Sequence, residues 1–276
     1  MADRKVALVT GASRGIGRTA ALALASAGFD VAISARTVHE GDSKATSKDG
    51  QQVTVPGSLD STADEIEERG TRALAVPIDL LDTASLLRAP QQVIDTWGRI
   101  DVLVNNAIYQ DGRALDGIMD LTPESMTNML LGNYVHQVLL IQHVIPHMLE
   151  HGGGRIINVV SGSARLDPPA PPGQGGWGIG YSASKAAFAR VAGGINAEFR
   201  PRGISAFNID PGNVVTERRK AMNPTDDYQD NFGAEPPEAC GNAIGWLASS
   251  DAADEWLGKW IYGPALSKHF GLLPTG

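Results

Sequence analysis

The segment Thr10-Gly11-Ala12-Ser13-Arg14-Gly15-Ile16-Gly17 restricts the fold more than any other stretch of the chain. It follows the unbroken apolar run Val6-Ala7-Leu8-Val9, the pattern of a strand buried on both faces. It precedes the Ala- and Leu-rich run Arg18–Ala27, which reads as a helix stopped by Gly28. With Val31–Ser34 as a second short strand, the N-terminal segment predicts a β-α-β unit. Glycines at such a junction allow a tight turn and let an anion such as a pyrophosphate approach the free N–H groups of the helix. The spacing G-x-x-x-G-x-G differs from the G-x-G-x-x-G fingerprint, so an ordinary strand-to-helix turn is the competing reading.

The alternation continues to the C-terminus. Strands are expected at Ala73–Ile78, Asp101–Val104, Ile156–Val160, Ile204–Ile209 and Trp260–Tyr262. Between them, helices are expected at Thr62–Arg69, from Thr83, from Pro123 to about Glu150, at Tyr181–Phe199, and from Glu235 to about Ser249. Asp82 and Thr122 are the expected caps, and Pro90 should kink or split the helix that starts at Thr83. The pattern predicts an α/β fold: one domain over residues 1–276, a doubly wound parallel sheet of about seven strands with helices on both faces. Residues 37–61 are polar without helical period and read as an inserted loop.

Composition excludes several functions. A net charge of −8 argues against nucleic acid or anionic membrane as partners. Cys240 is the single cysteine, which rules out an internal disulfide and a thiolate metal site. The longest apolar candidate, Val138–Leu149, is broken by Gln142, His143, Pro146 and His147, and the N-terminus has no signal-peptide pattern. A cytoplasmic protein is the expectation. His136, His143, His147 and His151 fall mostly four apart, but no carboxylate or cysteine is placed to complete a metal site, so no metal is expected.

Tyr181-Ser182-Ala183-Ser184-Lys185 carries the chemistry. Residues four apart share one helix face. A phenol titrates near ~10, and an adjacent ammonium can lower that by roughly one to three units. Such a pair is a general acid/base suited to hydride chemistry. Alone it is weak, since Tyr and Lys meet at this spacing on many solvated helices.

Taken together, Thr10-Gly-x-x-x-Gly-x-Gly17, Asn105-Asn106-Ala107, Ser161, Tyr181-x-x-x-Lys185 and Pro211-Gly212-x-Val214-x-Thr216 resemble the short-chain dehydrogenase/reductase family, of the NADP(H)-preferring type. The resemblance spans roughly Lys5–Tyr262 and implies a Rossmann-type sheet. It implies that Tyr181 is the catalytic acid/base, that Lys185 lowers its pKa and holds the nicotinamide ribose, and that Ser161 hydrogen-bonds the substrate oxygen. Ser163 is a neighbouring hydroxyl, but alignment on Gly154-Arg155-Ile156 favours Ser161. Asn133 corresponds to a residue supporting a water-mediated proton relay, with a satisfied structural amide as the competing reading. Cofactor contacts are implied for Gly11, Ser13, Arg14, Gly15, Ile16, Gly17, Arg36, Asp79, Leu80, Asn106, Ala107, Tyr181, Lys185, Pro211, Gly212, Val214 and Thr216.

The end of the second strand reads Ser34-Ala35-Arg36, with no acid to repel a 2′-phosphate and a guanidinium that can grip one. Arg14 adds a second cation, so NADP(H) is the expected cofactor. Departures from the family pattern are Ile108 after Ala107, the missing Asp-Gly-Gly after Tyr262, the insertion at 37–61, and an extended Pro-rich substrate loop over 164–180 containing Trp177. Residues 217–235 look like a substrate lid. Ile108, Trp177, Met222 and Tyr228 would border a pocket compatible with a bulky apolar carbonyl. The expected activity is NADP(H)-dependent carbonyl/secondary-alcohol interconversion by a homo-oligomer paired through the Thr122–Glu150 and Tyr181 helices. NAD-dependent alcohol oxidation and a catalytically silent NADP-binding scaffold are the alternatives.

Overall fold

The structure is a computed structural model and describes residues 4–47, 49–110, 115–223 and 233–273. Its centre is a parallel sheet of seven strands: β1 (Val6–Thr10), β2 (Asp30–Ser34), β5 (Ala73–Ala75), β6 (Val102–Asn105), β7 (Gly154–Val159), β8 (Ile204–Asp210) and β9 (Trp260–Tyr262). They lie in the order β5-β2-β1-β6-β7-β8-β9. The order reverses direction between β1 and β6, the switch point where open sheets of this kind leave a crevice at the carboxyl ends of their strands. Consequently the turns after β1, β6, β7 and β8, which carry Gly11, Asn106, Ser161 and Pro211, emerge along one rim.

Period-two alternation distributes the apolar side chains to two cores. Ala7 and Val9 of β1 join Leu24, Phe207 and Ile244 on one face, whereas Val6 and Leu8 join Leu103, Ile156 and Phe188 on the other. Burial on both faces is why the strands read as unbroken apolar runs. The helices on the Val9 side include α1 (Gly15–Ser26) and α9 (Pro237–Ser249), joined by Leu59 and Ile66 from the helix after the insertion and by Leu266 near the C-terminus. On the Leu8 side are α3 (Thr83–Trp97), α5 (His136–Glu150), α6 (Ile179–Ala189) and α7 (Val191–Phe199).

Several expectations need correction. The helix expected through Glu150 is interrupted: α4 (Pro123–Leu130) passes into a π-helical turn, Leu131–Val135, before α5. Gly132 approaches the Tyr109 side chain so closely that a Cβ would lie 2.6 Å from its Cβ. The helix expected over Tyr181–Phe199 divides at Arg190 into α6 and α7. Pro90, by contrast, does not split α3, which runs from an Asp82 cap to Trp97.

The 37–61 insertion is not a plain loop. It contains an antiparallel hairpin, β3 (Lys44–Thr46) with β4 (Gln52–Thr54), and its last residues start α2 (Leu59–Glu67). Ser58 and Ser61 cap α2 reciprocally, a short-range signal that places its start three residues before Thr62. At the other end, α8 (Glu217–Met222) follows the turn after β8 and α10 (Gly263–His269) follows β9. Tyr228 lies outside the described residues.

Candidate active site

The Gly-rich turn is fixed by close approach. A Cβ on Gly17 would lie 2.2 Å from the Gly11 carbonyl oxygen and 2.5 Å from Asn106 Nδ2, so no other residue fits there without moving backbone. Asn106 Nδ2 donates to the carbonyls of Thr10 (2.9 Å) and Gly11 (3.2 Å), while the Thr10 hydroxyl accepts from the N–H groups of Asn106 and Ala107. Sequence residues from β1 and β6 thereby form one rigid unit in front of α1. Gly15 has φ +55°, a left-handed conformation that favours glycine. Its N–H, the first donor of α1, donates to Glu217 Oε2 at 2.9 Å. Ser13 is buried, and Ile16 packs on the core.

Arg14 departs from expectation. Its Nε and one terminal nitrogen donate to the Pro56 and Gly57 carbonyls at 2.8 and 2.6 Å, so it fastens the inserted segment rather than standing free for a phosphate. Burial lowers its pKa, and Glu217, Arg218, Glu40 and Arg36 are the charges it feels. Arg36 is exposed, at the end of β2. Arg218 is half-buried, and its pKa is lowered by burial and by Arg36. Sequence analysis missed Arg218, which lies within the segment assigned to a lid.

Asp79 Oδ1 accepts from the Leu81 N–H, forming a local turn after β5. Leu80 is buried, and its carbonyl accepts from His136 Nδ1. His136 is therefore a core residue rather than part of a metal stripe, and among the described residues no three His, Cys, Asp or Glu side chains cluster as a metal ion requires. Pro211–Thr216 runs beside residue 235: Val215 N–H donates to the Glu235 carbonyl and Glu235 N–H to that of Asn213. Gly212 has φ +74° and Val214 bridges Glu235, while Thr216 caps α8 through the Arg219 N–H.

Tyr181 and Lys185 lie one turn apart on α6, the phenol half-buried and the amine buried. Their electrostatics differ from the sequence expectation. Burial raises the Tyr181 pKa; a hydrogen bond with Ser161 opposes the rise, and Asp210 adds to it. Burial lowers the Lys185 pKa to about 8, against the opposing effect of Asp210. Lys185 Nζ donates to the Val159 carbonyl at 2.8 Å. The expected depression of the phenol by the ammonium is thus absent in this structure. Desolvation dominates both groups instead.

Ser161 lies two residues past β7 and caps a short 3-10 turn, Gly162–Ala164. Its Oγ accepts from Ser163 Oγ (3.0 Å) and Ser163 N (3.3 Å). With its acceptor capacity filled from one side, the Ser161 hydroxyl has its own proton to give. Asn133 sits in the π turn with its amide engaged: Oδ1 accepts from Tyr109 N, and Nδ2 donates to Tyr109 O and Ser184 Oγ. Asp210, at the end of β8, was not anticipated. An acid directly before Pro211-Gly212, at the end of a buried strand, was the signal that could have found it.

Against this geometry, comparison with known proteins is decisive. Residues 5–56 and 43–227 match the short chain dehydrogenase family in two overlapping segments. The chain belongs to the short-chain dehydrogenases. It is 32% identical over 267 residues to a cyclohexanol dehydrogenase of Rhodococcus sp. (strain TK6), covering 93% of each chain. It is 30% identical over 278 residues to the 3-oxoacyl-(acyl-carrier-protein) reductase FabG of Staphylococcus epidermidis, covering 97% of this chain and 98% of the other. The crystal structure of an acetoin dehydrogenase from Enterobacter cloacae superposes with a TM-score of 0.73 at 26% identity, covering 96% and 97%. Like its relatives, this short-chain dehydrogenase is an oxidoreductase whose family binds a nicotinamide cofactor. The close-packed glycines and the N-terminus of α1 fit such a dinucleotide. No helix is long and apolar enough to cross a membrane among the described residues.

Proposed function

We propose that this short-chain dehydrogenase interconverts a carbonyl and a secondary alcohol with NADP(H), using Tyr181 as acid/base. The observation that carries the reading is the Tyr181–Lys185 pair on α6, one turn apart beside the proton-giving Ser161. When bound, a reduced nicotinamide supplies the hydride. Ser161 polarises the carbonyl oxygen, Tyr181 gives it a proton, and Lys185, next to the Val159 carbonyl, holds the ribose and reloads the phenolate. Asn133 supports this relay by fixing Tyr109 and Ser184 around the π turn. Asp79, Leu80, Asn106 and Ala107 would line the adenosine side, and Pro211, Gly212, Val214 and Thr216 the nicotinamide side. The names of the relatives, which act on a ring alcohol and on an oxoacyl chain, agree with a ketone or secondary alcohol as the reacting group.

NADP(H) rests on Arg36 and on the lack of an acid after β2. One observation favours NAD(H) as a second reading: Arg14 is committed to the Pro56 and Gly57 carbonyls. Ile108 and Trp177 on one side and Met222 on the other suit a bulky apolar carbonyl. Pairing of two copies through α5 and α6 completes the reading, and a mass measured in solution tests it.

The central experiment follows NADPH oxidation across ketones, aldehydes and diketones, for wild type and Tyr181→Phe, with NADPH and NADH affinities compared. Turnover by wild type, loss by the variant and tighter NADPH binding are expected. Silence throughout with tight NADPH binding would instead identify a cofactor-binding scaffold.

A further inference from the structure

Parallel pairing of β7 with β8 puts Val159 opposite Ile209. Asp210 therefore emerges beside Val160, one residue short of Ser161 and next to the carbonyl that receives Lys185 Nζ. Alternation along β8 fixes its side: Ile209 belongs to the core under α1 and α9, so Asp210 points toward the face that carries α6. A Cβ added to Gly162 would lie 3.2 Å from Asp210 Oδ2, which locates the carboxylate directly beneath the Ser161–Gly162–Ser163 turn.

This carboxylate is buried, yet its hydrogen-bond donors are neutral. Oδ1 accepts from the Gly212 N–H at 3.1 Å and Oδ2 from Trp260 Nε1 at 3.2 Å. The nearby guanidinium of Arg165 stacks on the Trp260 ring at 4.8 Å instead of pairing with the acid. Tyr181 and Lys185 on α6, Cys240 on α9 and Tyr262 on β9, the last of which hydrogen-bonds Glu235, all feel its charge. Burial keeps the Cys240 thiol protonated, and Tyr262 stays a phenol beside its acid. Lys185 is the one cation of this set. A buried charge needs compensation, and both of these side chains are buried at the same rim.

We propose that the Asp210 carboxylate is a positioning charge that holds Lys185 as an ammonium and Tyr181 as a phenol, setting the pair to protonate a carbonyl oxygen. This rests on the proposed roles of Tyr181 and Lys185. One negative charge favours the protonated form of both neighbours, so it works in the same sense on each. In carbonyl reduction, hydride reaches carbon, the Tyr181 proton goes to oxygen, and the phenolate left behind is reloaded through the Lys185 side. Loss of either proton before hydride arrives stops the reaction.

The test is the pH dependence of kcat for NADPH-driven carbonyl reduction in Asp210→Asn, with Asp210→Ser as a second uncharged variant should the amide disturb the Trp260 contact. The descending limb at high pH should move down by about one pH unit in either variant, with NADPH affinity at pH 6 retained. A limb that superposes on wild type in a folded variant, or moves upward, overturns the proposal. Tyr181→Phe is run alongside. If that variant turns over normally, the reading of the dyad itself has failed; if it is dead while the Asp210 profiles are unshifted, only the role of Asp210 has.

Discussion

The Glu217 carboxylate accepts a hydrogen bond from the Gly15 backbone N–H at 2.9 Å, joining the start of α8 to the start of α1 across 202 residues of chain. Arg14, the N-cap of α1, makes no side-chain cap of its own, so the capping carboxylate comes from α8.

In the proposed cofactor complex a phosphate at the Gly15 N–H would compete with Glu217 for that donor. Glu217→Ala should therefore tighten NADPH binding about three- to tenfold, corresponding to roughly 1 kcal/mol of helix-end interaction. Nicotinamide fluorescence titration measures it. Weaker binding in the variant would mean that Glu217 assists the cofactor instead of competing with it.

Ser163 fills the acceptor side of Ser161. Ser163→Ala should lower kcat about five- to tenfold, the worth of one hydrogen bond of ~1 kcal/mol, while leaving the KM for NADPH unchanged. Ser163→Thr, which keeps the hydroxyl, should recover most of the loss. Steady-state kinetics on both variants separate this from a simple packing defect.

Lys185 links function to stability. Its pKa falls from 10.5 to about 8 on burial, so between those values the unfolded chain holds more protons than the folded one. Stability contributed by this site should therefore rise with pH from about 8 toward 10.5. At pH 7 the ammonium form carries this desolvation cost, but Lys185→Met would leave the buried Asp210 carboxylate without its compensating cation, so the variant should lose turnover without a net gain in stability at pH 7. Denaturant unfolding at pH 7 and pH 10 should show wild type gaining stability relative to Lys185→Met at the higher pH.

Gly17 and Gly193 form a contrasting pair. Gly17→Ala drives a methyl into the Gly11 carbonyl and Asn106, and should lower Tm by about 5 °C or more. Gly193 lies exposed in α7 with nothing within 4 Å of an added Cβ, so Gly193→Ala should stabilise by roughly 0.5–1 kcal/mol. Thermal melts of the two variants decide it.

The sheet was legible because its central strands are buried on both faces. Val6–Val9 and Ile156–Val160 announce themselves as apolar runs, and short turns leave little freedom in their order. Local interruptions were not legible, because their causes are distant in sequence: the π turn at Leu131–Val135 reflects Tyr109 against Gly132 and Asn133. The hairpin β3–β4 was hidden by its polarity, since only Ala45 of its strands is buried. At the site, spacing located Tyr181 and Lys185 but not the sign of their electrostatics. That sign depends on burial and on Asp210, which reaches the dyad only through the β7–β8 register.

The hairpin β3–β4 has α8 resting against it, and Arg14 ties the same insertion to the Gly-rich turn. Two segments 170 or so positions apart therefore pack as one unit beside the Gly-rich turn. Anyone exchanging α8 for the corresponding segment of a relative would have to transplant the hairpin with it, since either half moved alone would arrive without its support.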